Sequence, residues 1–153
     1  MRIESRIFDL SGQFRNAIEK AALDGRFAAN DRMNRFPSGC CDDASDLLAY
    51  YLQHNGIDTV QVNGVYRDGN PQNTQNHVWL RTNDGILIDI TGDQFVRRKE
   101  LLYYDVPVYV GYEDALHKLF TERQEYPSFN FESDDGLGER RMMSIYKIIL
   151  EYL

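Results

Sequence analysis

Residues 36–57, FPSGCCDDASDLLAYYLQHNGI, decide how this chain is read. Ala44, Leu47, Leu48, Tyr51 and Leu52 recur at helical spacing and form one apolar face over residues 41–54. Ser38 or Asp42 can cap the start, and Asn55-Gly56 ends the helix. Cys41 therefore falls in the first turn. The first N–H groups of a helix have no partner within it, and the aligned peptide dipoles place partial positive charge there. Such a place stabilises a thiolate, the nucleophilic form of cysteine. The same N–H groups suit a developing oxyanion. Gly39 allows a substrate carbonyl to come close. Against this stands the common use of cysteine as a small buried apolar residue.

Outward from this helix, residues 11–24 predict another, with Ser11 as its N-cap and Gly25 as its stop. Residues 26–39 read as an irregular connection. Val60, Val62 and Val65 make 57–66 a strand, and 67–76 is a polar loop. Strands over 77–81 and 86–91 flank Asn83-Asp84-Gly85, a hairpin signal. A strand is predicted at 106–111 and helices at 112–124 and 138–153, with 128–139 as a loop or edge strand. Helices, then a mostly antiparallel sheet, then helices is an α+β order. No repeat or linker divides the chain, so residues 1–153 form a single domain.

The hairpin bears on chemistry. A three-residue loop pairs Thr82 with Ile86, Trp79 with Asp89 and His77 with Thr91, making His77 and Asp89 diagonal neighbours on one face. A two-residue loop separates them. Asp89 lies between Ile88 and Ile90, where a carboxylate is costly unless paired. An Asp that fixes the tautomer of a His beside a Cys at a helix start is triad logic. His54 is thirteen residues along the helix from Cys41, roughly 20 Å away, too far to serve it. His117 is placed on a polar helix with no orienting strand carboxylate, and is not assigned. Gln75 and Asn76 can donate to an oxyanion or form a solvated loop. Asp93 and Gln94 either contact substrate or end the strand.

Gly39-Cys40-Cys41, Ser45, Gly56-Ile57, His77-Val78-Trp79 and Asp89-Ile90-Thr91, in that order, resemble the transglutaminase-like branch of the papain-like cysteine enzymes. The resemblance covers residues 37–95. It implies a papain-like fold, with N-terminal helices on a mostly antiparallel sheet and C-terminal helices, and a triad carried by Cys41, His77 and Asp89. The doublet keeps Cys40 as the alternative nucleophile. Counting back from Gly56 favours Cys41 and puts Asp43 and Ser45 where the family often has an acid and a small residue. Asp89-Ile90-Thr91 departs from the family's usual Asp-Pro-Thr. The implied activity is attack on an amide through a thioacyl intermediate, giving hydrolysis, deamidation or acyl transfer. Gly39, Cys40 and Trp79 fall on the substrate side, Trp79 either lining a groove or packing beside the triad, and no metal or organic cofactor is required. The substrate is a peptide, a protein side-chain amide or a small amide. The rival reading is an inactive binding module on the same scaffold.

Composition narrows the field. Seventeen Lys+Arg against twenty-four Asp+Glu give a net charge of -7, which argues against nucleic acid or an anionic membrane as partner. No apolar run approaches the roughly 20 residues of a spanning helix. The N-terminus shows no apolar signal region, and two adjacent cysteines make no disulfide framework, so a cytoplasmic location is expected. Adjacent cysteines also point in different directions, which disfavours a shared zinc ion.

Overall fold

The computed structural model describes residues 2–128, 131 and 136–153. Its elements are α1 (Ile3–Leu23), α2 (Cys41–His54), β1 (Val60–Tyr66), β2 (Gln75–Arg81), β3 (Leu87–Asp89), β4 (Tyr109–Gly111), β5 (Glu122–Pro127) and α3 (Leu137–Leu150), with short 3-10 turns between them. The five strands form one antiparallel sheet in the order β4-β3-β2-β1-β5. The architecture is α+β, with helices packed on the sheet.

Alternation along the strands builds the two halves of the core. Leu80 and Ile88 point to one face, where they meet Phe14, Ile18, Leu47, Leu48 and Ile149 of the three helices. Trp79 and Leu87 point to the other, where Val62, Phe95, Leu101, Leu116 and Phe120 gather. Gly64 of β1 makes this second half possible. A Cβ there would stand 2.7 Å from Trp79 Cη2 and 2.8 Å from Phe120 Cβ, so only a glycine admits both side chains.

The hairpin has the register of the three-residue loop. Arg81 pairs with Leu87 and Leu80 with Ile88, and Thr82 N donates to Ile86 O at 2.9 Å. The ladder stops there, and the chain turns away after Asp89. This leaves the start of β2 free on that side for the start of α2, where the Ser45 hydroxyl donates to Val78 O at 3.3 Å.

Several expectations change. α1 begins at Ile3 rather than residue 11, because Ile3, Ile7 and Leu10 continue the spacing of Phe14 and Ile18. Ser11 is thus no N-cap; it lies fully buried within the helix. The N-cap of α2 is Cys40, not Ser38 or Asp42, with no side-chain cap. The helix expected over 112–124 is absent. Leu116 and Phe120 are buried through a single 3-10 turn (His117–Leu119), and the chain then runs extended along β1 as β5. Pairing with β1 outweighs the helical spacing of the apolar residues. Among the described residues one C-terminal helix, α3, stands where two were expected. Of the loop or edge strand at 128–139, residues 129–130 and 132–135 lie outside the described residues. Among the described residues no helix is long and apolar enough to cross a membrane.

Two arginine clamps fix the elements that carry the site. Arg15 of α1 is buried and donates to Ile90 O at 2.9 Å, to Pro107 O at 2.8 Å and to both oxygens of Asp93 at 2.7 Å. It ties the loop after β3 to the helical layer. Asp43, in the first turn of α2, is held by Arg32 at 2.5 Å and by Arg141 of α3 at 2.9 Å. Arg141 also binds Asp31 at 2.8 Å.

Candidate active site

The doublet is divided by the helix start. Gly39 has φ +69, a left-handed conformation that favours glycine, and the turn it makes sends Cys40 inward and Cys41 outward. Cys40 is fully buried in the core. Burial, with Cys41 and the neighbouring acids, pushes its thiol up to about 12. It is a packing residue and not the substrate-side residue expected. Cys41 is half-buried, in the first turn of α2. With no side chain capping that turn, its amides remain free for a ligand.

His77 is completely buried at the third position of β2. Its ring packs edge-on against Phe95 at 4.9 Å and beside Trp79 and Phe120, each at 5.6 Å. Nε2 lies 2.7 Å from Asp89 Oδ2. That fixes the tautomer and leaves Nδ1 facing away from Asp89, and the Cys41 thiol is close enough to the ring to raise its pKa. Burial alone would depress the His77 pKa. The Asp89 carboxylate and the Cys41 contact overcome this and raise it to about 10. Gln94 Nε2 stands 3.5 Å from the same Nδ1 and donates to Thr91 O at 3.0 Å.

Asp89 is buried at the end of β3. Burial would raise its pKa; His77 and His117 hold it well below the usual carboxylate range. It also accepts from Thr91 N at 2.9 Å, so each of its oxygens is used. The fold thus brings the three sequence-chosen residues together in the order Cys41, His77, Asp89.

His117 is the residue that sequence reasoning set aside. Its Nε2 lies 2.7 Å from Asp89 Oδ2, and its Nδ1 lies 2.5 Å from Asp114 Oδ1. The expectation that it has no orienting carboxylate in a strand is corrected by Asp89 at the end of β3, and Asp114 adds a second carboxylate from its own turn. The only local signal is the Asp114-x-x-His117 spacing, which many surface turns share. For Trp79 the structure gives packing beside the triad, not a place on the substrate side. Trp79 is fully buried and packs tilted against His77 and edge-on against His117 and Phe120, and does not line the groove. Asp93 is the partner of Arg15, and Gln75 accepts from Arg98 at 2.6 Å. Both are structural. Asn76 is exposed.

A groove of about 470 Å³ opens beside His77. Across-strand pairs Asn76–Val65–Glu122 and Val78–Asn63–Gln124 share the sheet face that floors it. Its lining is polar and partly charged: Asn63, Asn76, Gln124 and Tyr126, with Glu122 and Arg123. Asp46 of α2 reaches the same face and accepts from Gln61 at 2.6 Å. Burial and the nearby Asp42 and Asp43 push its pKa up to about 7.

His77, Asp89 and His117 bring three nitrogen and oxygen atoms within 4.8 Å of one another, but as a hydrogen-bonded cluster rather than a metal site. Their spacing is that of hydrogen bonds, since each ring nitrogen stands 2.7 Å from the shared oxygen. A tetrahedral zinc with bonds of roughly 2.0–2.1 Å holds its ligand atoms about 3.3 Å apart. No family model matches the chain, and no curated protein or solved structure is significantly similar to it.

Proposed function

We propose that the chain is a cysteine-nucleophile enzyme of papain-like, transglutaminase-like type that acts on an amide. The observation that carries this reading is the buried His77–Asp89 pair, with the Cys41 thiol of the α2 start near enough to raise the His77 pKa, beside a groove that His77 helps to line. His77 takes the thiol proton of Cys41, and the sulfur attacks the amide carbonyl. The free amides at the start of α2 hold the oxyanion. His77 then gives its proton to the departing amine as the C–N bond breaks, leaving a thioacyl enzyme. Water, deprotonated by His77, attacks the carbonyl and breaks the C–S bond. An amine in place of water gives acyl transfer. Asp89 keeps Nε2 protonated and stabilises the imidazolium.

The open groove is lined by carboxamides, a tyrosine and the charged Glu122 and Arg123, which supports a peptide or protein-borne amide over a small apolar one. The chemistry needs no metal or organic cofactor, and a reducing, cytoplasmic setting suits a free thiol nucleophile. Alkylation of the native protein with iodoacetamide, read by peptide mass spectrometry, tests the pair. The label is expected on Cys41 and not on Cys40. His77→Gln should slow labelling at pH 6 at least about tenfold, because the imidazolium that holds the thiolate is lost. Equal rates in the two proteins would overturn the reading. Labelling that depends on His77 without amine release from peptide amides would favour the binding module.

A further inference from the structure

The second histidine at Asp89 has a charge state that its neighbours dictate. A carboxylate only accepts hydrogen bonds, so a ring nitrogen facing one must carry a proton. His117 faces two: Asp89 through Nε2 at 2.7 Å and Asp114 through Nδ1 at 2.5 Å. Both nitrogens donate, and a ring protonated at both is an imidazolium. Asp114 further accepts from the His117 backbone N–H at 3.0 Å and from the Tyr104 hydroxyl at 2.8 Å, which keeps it ionised.

The remaining groups around this ring agree. From β2 it meets His77 at 6.2 Å between ring centroids and Trp79 at 4.9 Å. From β4, Tyr109 stacks on it at 5.6 Å. Arg123 donates to the His117 carbonyl and is itself paired with Glu113. Two buried carboxylates thus face His117 and His77. With both rings protonated the cluster is neutral. With His117 neutral, two anions would share one cation in a dry interior, which is costly.

We propose that His117 is a positioning residue for the Cys41–His77 pair: an imidazolium clamped between Asp114 and Asp89 that fixes the Asp89 carboxylate and weakens its hold on the His77 proton. This rests on the catalytic reading given above. Asp89 alone would trap the proton on His77, whereas general acid–base work needs a group that both takes and returns it. The nearby positive charge of His117 counters that trap. The burial-opposed upward shift of His117, driven by Asp114 and Asp89, is consistent with a permanently charged ring.

Nuclear magnetic resonance on the full chain with labelled histidine tests the clamp directly, since the sequence has only three histidines. Both nitrogens of His117 are expected to be protonated from pH 5 to 9. An unprotonated Nδ1 at pH 7 overturns the proposal. His117→Gln, in a Cys41→Ser background, keeps a donor toward Asp89 and removes the charge. The His77 midpoint should then rise by about two pH units, from unit charges 6.2 Å apart at an effective dielectric near 20. A merely structural role would loosen Asp89 and lower that midpoint, so a fall or no change refutes the clamp. Failure of Cys41 labelling in the unmodified protein refutes the catalytic reading instead and leaves the charge state of His117 standing.

Discussion

Asp89→Asn is the perturbation whose size the structure defines best. It conserves shape, removes a buried negative charge, and turns one acceptor into an NH2 that faces two histidine donors or Thr91 N. The His77 pKa stands at about 10 in the fold against 6.5 ordinarily. At 1.36 kcal/mol per unit that difference is worth about 5 kcal/mol at most. Removing one partner of a buried pair costs about 3–5 kcal/mol in general, so the two routes agree. The loss at pH 6.5 should be about 3–5 kcal/mol, a large share of a typical domain's stability. Because the folded pKa of His77 is raised, its contribution is complete below about pH 6.5 and fades as pH rises through about 10. Urea unfolding of both proteins at pH 6.5 and 10.5 is the assay. The gap between them should narrow by more than half at the higher pH. A gap under about 1 kcal/mol at pH 6.5, or one equal at the two pH values, would refute an ionised Asp89 holding a charged His77.

Three further outcomes follow from packing and charge. Arg15→Met leaves Asp93 and the carbonyls of Ile90 and Pro107 without their donor, and should cost about 3 kcal/mol in chemical denaturation while slowing Cys41 labelling through a displaced Asp89 loop. Gly64→Ala drives a methyl into Trp79 and Phe120, the walls around His77. A loss of about 1–3 kcal/mol is expected, and a melting temperature equal to that of the parent would contradict the packing. Asp46→Asn removes a carboxylate whose pKa burial has raised to about 7. Such a group favours the fold below about pH 3.8 and works against it as pH rises through 7, so the variant should be more stable by about 1 kcal/mol at pH 8 and no more stable at pH 3.5.

What the sequence reveals depends on how far each signal reaches. α2 and the hairpin register are legible because their causes are local: apolar spacing over four turns, and an Asn-Asp-Gly loop. Cys41, His77 and Asp89 each stand out against their neighbours, and the fold brings them together. The orientation of Cys40 and Trp79 is not local. Both are dictated by which side of a strand or turn faces the packed layers. β5 reads poorly because ERQEYP lacks branched and apolar residues, and only its ladder with β1 makes it a strand. His117 is missed because its bond to Asp89 spans 28 residues and crosses from a turn to a strand.

That same charged strand gives the molecule a protected border. β5 closes one side of the sheet, and its outer rim meets no further strand among the described residues. An exposed rim of this kind is ordinarily a template on which other chains stack into aggregates. Here an incoming chain would encounter Glu122, Arg123, Gln124 and Glu125 in succession, then Pro127, which has no amide hydrogen to offer. Glu122, Arg123 and Gln124, which the sequence places at the end of a helix, thus make this rim a poor template for a further strand.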